Sequence, residues 1–439
     1  MVKGIILAAS SSNAGKTTLS LGLQRLLMRR GHSVSPAKCG PDYIDPAFHG
    51  VASGRSSINL DPWAMPATEL QARALVHAAD GDFLFVEGVM GLFDGAANGQ
   101  GSTASLAHAL RLPIILVLDV KGQAQTAAAI AKGICEFDKD LTIGGILLNR
   151  VGSKAHEMLL REAFAPLGLP IVGAVRKSEQ LQLPSRHLGL VQAGEHEALD
   201  SMIDHIADHI AADIDLDLIL EIANRQSKTR IAPDGNNAVS RRLPPLGQRM
   251  AIARDEAFSF IYPHLLQDWH DQGAEISFFS PLKDEAPAAD ADAIYLPGGY
   301  PELHLERLGR ADKFRQAMRA AAGNNVLIFG ECGGYMTLGR SIISSEGNEA
   351  PMLGLLPVST SFAITKLSLG YRKLTHHSAL PWASRLAGHE FHYATMTILG
   401  DADPLFAAQS ATGRELPAMG QRAGSVHGSF AHIIAPLNE

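Results

Sequence analysis

The chain is poor in cysteine, in aromatic residues and in charge of one sign. Its 439 residues include three cysteines and three tryptophans, and aromatics make up 6%. Cys39, Cys135 and Cys332 lie far apart, with no Cys-x-x-Cys pair. That excludes a disulfide framework. It points to a reducing, cytoplasmic setting, where a special cysteine is catalytic rather than structural. No run of eighteen apolar residues is present, so no membrane span is expected. The short apolar run from Gly4 reads as a buried strand, not a signal peptide. The net charge is -7 with no basic block, which weighs against nucleic acid as a partner.

What is present is an ordinary globular composition, 46% hydrophobic and 19% charged, long enough for two or three domains. Short apolar runs alternate with helical patterns in the first half. Strands are expected at 4–9, 34–38, 83–86, 114–119, 145–148 and 171–175. Leu19, Leu23, Leu26 and Leu27 share one helical face, and Gly31 is a plausible stop. This alternation predicts a mostly parallel sheet with helices on both faces, and nucleotide sites in such sheets lie beyond the carboxyl ends of the strands. Residues 225–248 are polar, contain Pro and Gly, and lack periodicity; they read as a linker between domains 1–224 and 249–439. Strands resume at 250–253, 276–280, 293–296 and 326–329, predicting a second α/β domain.

The stretch SSSNAGKTT, Ser10 to Thr18, joins the first strand to the first helix. It fits a phosphate-binding loop, except that Ser10 stands where the first glycine is expected. The chemistry needs backbone N–H groups converging on phosphates, a lysine on the terminal phosphates and a hydroxyl for Mg²⁺. Ser10 can serve if its backbone angles are ordinary. Ser12, Asn13, Gly15, Lys16, Thr17 and Thr18 form the candidate nucleotide set. Acidic residues follow the next strands, in GPDYIDP from Gly40 and in EGVMGLFD from Glu87. Asp45 and Glu87, with Thr17, are candidates for holding Mg²⁺, directly or through water. Asp42 and Asp94 are candidates for orienting an acceptor. Any one of these aspartates alone also reads as a turn or helix cap. Asp119 and Asn149 end later strands; Asp119 fits switch geometry or a strand-end cap equally, and Asn149 a contact to the base.

In the second half, an apolar strand runs into Gly330-Glu-Cys332-Gly-Gly. This is the shape of a nucleophile elbow with cysteine as nucleophile. A helix after the turn is expected to lower the thiol pKa. The base is expected to be His427, with His432 as the fallback. Other histidines among the eighteen, such as His49 and His392, read as surface or packing residues. Gly298 and Gly299, after a strand, and Gly333, after the cysteine, are candidates for an oxyanion hole.

GPDYIDPAFH, MGLFDGA, LPGGYPE and GECGGYM together resemble the cobyrinic and hydrogenobyrinic acid a,c-diamide synthase family, over nearly the whole chain. The resemblance implies an amide-forming domain with a P-loop, similar in fold to dethiobiotin synthetase, joined to a class I-type glutamine amidotransferase domain. It implies ATP- and Mg²⁺-dependent amidation of the a and c acetates of a corrin ring through an acyl phosphate, with glutamine as ammonia source. The family tolerates loss of the first P-loop glycine. Cys332 then matches the glutaminase nucleophile and His427 its activating histidine. Asp42, Tyr43, Asp45, Glu87 and Asp94 match positions lining the synthetase site. Ordinary class I glutaminases carry a glutamate two residues after the histidine, where this chain has Ser429. The third triad member is therefore expected to be absent.

Other readings stay open. Cobyric acid synthase shares both domains, although GPDYIDP favours the a,c-diamide enzyme. A nickel-sirohydrochlorin a,c-diamide synthase, a regulatory ATPase with a degenerate second domain and a simple cysteine hydrolase are further alternatives. A ring with or without cobalt, a homodimer or another assembly, and a ring-lining or domain-ending role for the segment from Pro184 to Leu190 all fit the sequence.

Overall fold

In the computed structural model, residues 3–97, 99–178, 181, 185–186, 189–190, 198–225 and 242–437 are described. The chain divides into two compact units, Met1–Ser240 and Arg241–Glu439.

The first unit alternates strand and helix: β1 (Gly4–Ala9), α1 (Lys16–Arg29), β2 (Val34–Cys39), α2 (Asp45–Ser53), β3 (Ile58–Leu60), α3 (Ala67–Ala78), β4 (Phe83–Glu87), α4 (Thr103–Leu110), β5 (Ile114–Asp119), α5 (Gln125–Phe137), β6 (Ile143–Val151), α6 (Lys154–Phe164) and β7 (Ile171–Arg176). A two-strand hairpin, β8 (Ser185–Arg186) and β9 (Gly189–Leu190), falls within the segment singled out above; Pro184, His187 and Leu188 lie outside the described residues. Helices α7 (Leu199–Ile210) and α8 (Leu216–Arg225) close the unit.

Seven strands form one sheet in the order β3-β2-β4-β1-β5-β6-β7, every pairing parallel. The phosphate-loop strand β1 is central, so its carboxyl end meets loops from β4 and β5 on either side. The six expected strands are present: two match to the residue, three are longer by one, and that expected at 145–148 is longer by five. The three-residue edge strand β3 is too short to show a pattern. Leu19, Leu23, Leu26 and Leu27 of α1 pack into a core with Ile5, Leu7, Ile115 and Val117. Gly22 lets α7 approach closely: a Cβ there would fall 2.6 Å from Ile210 Cδ1.

The second unit contains β10 (Arg249–Ala253), α9 (Pro263–Asp271), β11 (Glu275–Phe279), β12 (Ala293–Leu296), α10 (Leu305–Gly309), α11 (Asp312–Gly323), β13 (Leu327–Glu331) and α12 (Gly333–Leu338). Strands β14 (Ser341–Ile343), β15 (Glu349–Pro351), β16 (Val358–Ser361), β17 (Ser368–Thr375), β18 (Arg385–His392), β19 (Thr395–Ile398), β20 (Asp403–Ser410), β21 (Glu415–Ala423), β22 (Val426–Ser429) and β23 (Ala431–Pro436) follow. Ten strands form a sheet in the order β11-β10-β12-β13-β22-β21-β20-β17-β18-β23. The part from β11 to β22 is parallel, and the remaining pairings are antiparallel.

The expected linker reaches too far. Leu243 and Leu246 are buried, Trp382 Nε1 donates to the Pro244 carbonyl at 3.0 Å, and Arg242 pairs with Asp268 and Asp271. These apolar and ionic anchors sit among polar residues and are too sparse to read as an element, yet they belong to the second unit.

Candidate active sites

The loop from Ser10 to Gly15 turns through left-handed backbone at Asn13 (φ 61°) and Gly15 (φ 91°), whereas Ser10 does not adopt positive φ. The missing first glycine is therefore not required by the backbone. Gly15 is required: besides its φ, a Cβ would fall 2.3 Å from Asn149 Nδ2. That amide donates to the Ala14 carbonyl at 2.8 Å and pins the loop to the end of β6. Ser12 and Asn13 are exposed at the loop tip. The Thr18 hydroxyl donates to the Leu181 carbonyl at 3.3 Å. A cavity of 350 Å³ beside the loop is lined by Gly15, Thr18, Lys121, Asn149, Arg150 and Arg176, among others.

Three expected oxygen donors meet below the loop. The Thr17 hydroxyl donates to Glu87 Oε1 at 2.7 Å and lies 3.4 Å from Asp45 Oδ2. Lys38, at the end of β2, joins them: Nζ donates to Glu87 at 2.9 Å and to Asp45. His49 Nε2 lies 2.6 Å from the other Glu87 oxygen. Burial alone would lower Lys38, but Asp45 and Glu87 outweigh it and keep it charged. Burial works to raise Glu87, but Lys38 and His49 hold it well below the usual carboxylate range. Burial and the neighbouring Asp42 charge push Asp45 up to about 8. Lys16 is lowered to about 8, first by burial and then by Lys38.

His49, expected as a surface or packing residue, is fully buried, with its ring on a Glu87 oxygen. Two other candidates have local work. Asp42 Oδ1 accepts from the N–H groups of Ile44 and Asp45 at 2.8 and 3.2 Å and shapes the start of α2. Asp94 Oδ2 accepts from Gly91 N–H at 3.1 Å. Tyr43 is buried beside them in the chain. Asp119 ties a strand end, accepting from Lys121 N–H at 3.0 Å and pairing with Arg150.

The oxygen donors Thr17, Asp45 and Glu87 suit Mg²⁺. Among the described residues no group of three or more His, Cys, Asp or Glu forms a metal cage.

In the second unit, Cys332 sits at the turn between β13 and α12 with φ 47° and ψ −106°. Its N–H donates to the Ser429 carbonyl at 2.8 Å. The flanking glycines permit close packing: a Cβ on Gly334 would fall 2.0 Å from the Leu296 carbonyl oxygen. The oxyanion candidates converge on the cysteine. A Cβ on Gly333 would lie 2.9 Å from the Gly299 nitrogen, and one on Gly298 would lie 3.3 Å from Cys332 Cβ.

The same point on Gly298 lies 2.3 Å from His432 Cε1 and 3.0 Å from His432 Nε2. His432, not His427, is therefore the histidine beside the cysteine. His427 pairs with Phe329 in the register of β22 on β13, three residues before Cys332 and about 10 Å back along the strand. Its Nδ1 faces the Ser425 carbonyl at 3.2 Å. The chain leaves β22 at Ser429, turns at Phe430, and brings His432 forward on β23 opposite His389.

Burial, then the nearby Glu302 charge, pushes the Cys332 thiol up, and the Gly333 N–H offsets this only in part. The expected lowering by the helix does not prevail, because α12 is short and the site is closed. Burial, with His389 and His392 nearby, lowers His432 to about 3. The resting pair is a neutral thiol and a neutral imidazole. His392 is a packing residue as expected, stacked on Phe430 at 3.8 Å, and it also meets Glu390 at 2.9 Å.

Residues 5–191 match the CobQ/CobB/MinD/ParA nucleotide binding domain, and residues 249–438 the CobB/CobQ-like glutamine amidotransferase domain. Relatives extend over both. The chain is 52% identical over 434 residues to the hydrogenobyrinate a,c-diamide synthase of Brucella abortus, covering 99% of this chain and 98% of that one. It is 50% identical over 433 residues to the enzyme of that name from Rhizobium meliloti, covering 99% of each. The chain belongs to the hydrogenobyrinate a,c-diamide synthase family. It is an enzyme, a ligase that couples nucleotide use to glutamine-dependent amide formation.

Within that frame, Lys38, His49 and Glu331 are the polar residues that sequence reasoning missed. Lys38 carried a signal, as a lysine in a strand, VSPAKC, that is buried throughout. His49 carried none, and Glu331 was obscured by the cysteine beside it.

Proposed function

We propose that the chain amidates the a and c acetates of a corrin ring, hydrogenobyrinic or cobyrinic acid, using ATP, Mg²⁺ and glutamine. The name borne by the Brucella and Rhizobium relatives, hydrogenobyrinate a,c-diamide synthase, favours the metal-free ring. The observation that carries the reading is the presence of a phosphate loop with oxygen donors in one unit and a Cys332–His432 pair at an elbow in the other.

In the first unit, Lys16 and the N–H groups of the loop hold the terminal phosphates, and the cavity beside Asn149 takes the base and ribose. Thr17, Asp45 and Glu87 would hold Mg²⁺, which supplies positive charge to the transferring phosphoryl group. Lys16 adds its own charge there as the substrate carboxylate becomes an acyl phosphate. Ammonia then displaces phosphate.

In the second unit, Cys332 attacks the amide carbon of glutamine while His432 takes the thiol proton. Gly333 and the Gly298-Gly299 turn supply N–H groups to the oxyanion. His432 passes the proton to departing ammonia, and water hydrolyses the thioester. A neutral resting pair suits this order, since the proton moves only when substrate is in place.

The test is Cys332→Ala in the full chain, assayed by mass gain on hydrogenobyrinic and on cobyrinic acid. Glutamine-dependent amidation is expected to fall at least 10³-fold, with activity retained at high ammonium. A folded variant that ammonium does not rescue refutes the division of labour. Product on neither ring, with ATP still hydrolysed, refutes the substrate.

A further inference from the structure

We infer that Glu331 is the positioning carboxylate of the glutaminase site, holding His432 by its Nδ1 edge. The inference rests on the Cys332–His432 reading above and supplies the third member that the position two residues after the histidine lacks, occupied here by Ile434.

Glu331 ends β13 and precedes the nucleophile, so its place is set by the same strand that sets Cys332. Its side chain is held on two sides. Tyr295 Oη donates to Oε2 at 2.7 Å, and the Ile433 N–H donates to Oε1 at 3.0 Å. The second bond comes from the residue following His432, so the carboxyl group is tied to the backbone that carries the ring. Oε2 lies 3.6 Å from His432 Nδ1. The opposite edge of the ring, Cε1 and Nε2, faces the Gly298 position that Cys332 Cβ also adjoins. A carboxyl group on one edge and a nucleophile on the other is the arrangement a base histidine needs. At 3.6 Å the carboxyl group is a neighbour of Nδ1 and not its hydrogen-bond partner at rest; closing on Nδ1–H as the imidazolium forms, it steadies the ring while Nε2 takes the thiol proton.

Cost supports the same assignment. Glu331 is 1% exposed with no lysine or arginine paired to it among the described residues. A buried carboxyl group without a cationic partner is expensive, and an apolar residue would serve packing better. Burial pushes it up to about 8, so it rests largely protonated. The imidazolium that forms during attack is the cation beside which its ionised form becomes favourable.

The experiment uses the full chain and reads glutamate release with saturating ATP and ring substrate. Glu331→Gln is expected to lower kcat about 10²-fold with the glutamine KM within twofold, and to leave ammonium-supported amidation unchanged. His432→Ala is expected to abolish glutamine use. In the His432→Ala background, Glu331→Gln is expected to change the alkylation rate of Cys332 by iodoacetamide less than twofold, because a residue acting through the ring has no further effect without it. A multiplied effect in the double variant, or wild-type kcat in Glu331→Gln alone, overturns the inference. Retained glutamine use in His432→Ala overturns the underlying pair as well. Should Glu331→Gln fail to fold, Tyr295→Phe carries the test. It keeps the carboxyl group and frees Oε2, so kcat should fall severalfold at constant KM; unchanged kcat overturns the inference.

Discussion

Gly298 separates His432 from Cys332 by no more than the space of a missing methyl group. The position a Cβ would take is 2.3 Å from His432 Cε1 and 3.3 Å from Cys332 Cβ. Real side chains do not tolerate the first distance, so the ring must turn or the loop must retreat. Gly298→Ala is expected to lower glutamine-dependent turnover at least 10²-fold, since misplacement by about 1 Å costs that much. Amidation from ammonium salt should be unaffected, because the displaced atoms belong to the glutaminase site. Steady-state rates with the two nitrogen sources check this.

His432 also gives the protein a measurable acid sensitivity. Burial lowers its native pKa to about 3, against an ordinary value near 6.5 in the unfolded chain. Between these values the unfolded state binds a proton that the native state refuses, so stability rises with pH and is lost on acidification. The slope for one such group is about 1.4 kcal/mol per pH unit. Glu331, raised to about 8, contributes the opposite slope above about pH 4.5 in wild type and variant alike. The difference between wild type and His432→Leu therefore isolates the ring. From pH 6 to pH 4 the wild type is expected to lose more stability than the variant, in denaturant titrations followed through the buried Trp269. Parallel slopes would show the native ring to be protonated.

The parallel half of each unit was legible because its strands are buried on both faces and read as continuous apolar runs between turn residues. Ile114–Asp119 and Ala293–Leu296 were placed to the residue. The strands β14–β23, most of them paired antiparallel, were not. They are partly exposed and mixed in composition, and their register is set by pairing with other strands and not by an apolar run of their own. That gap explains the choice of His427. Without the turn at Phe430 and the pairing of β23 on β18, nothing in GSVHGSFAH tells which histidine comes forward. Glu331 was hidden for the same reason: its partners Tyr295 and Ile433 are 36 and 102 residues away.

Asn149 ends β6 and clamps the nucleotide loop. Its amide donates to the Ala14 carbonyl and fills the space left by the absent side chain of Gly15. Asn149→Ala removes that bond and leaves the loop free to shift. Loss of a buried hydrogen bond of this kind costs about 1.4 kcal/mol, a factor of ten. The KM for ATP is expected to rise roughly tenfold, with the glutamine KM unchanged. A variant with wild-type ATP dependence would mean that the loop holds its shape without the clamp.

Lys38 stands between Asp45 and Glu87 with its side chain 5% exposed. It is the countercharge for two buried carboxyl groups, and the Thr17 hydroxyl that joins them cannot replace it. Lys38→Met keeps the length of the chain and removes the charge. Breaking a buried pair in this way costs about 3–5 kcal/mol, because the abandoned Glu87 carboxylate stays desolvated. The variant is expected to unfold its first unit at lower denaturant by that amount and to lose ATP-dependent amidation. Glutamine hydrolysis at Cys332 should survive. A divalent cation placed on the same oxygens replaces the missing charge, so millimolar Mg²⁺ should stabilise Lys38→Met more than wild type. Denaturant midpoints with and without Mg²⁺ decide the matter. Equal stabilisation of both proteins would show that Asp45 and Glu87 do not receive the ion.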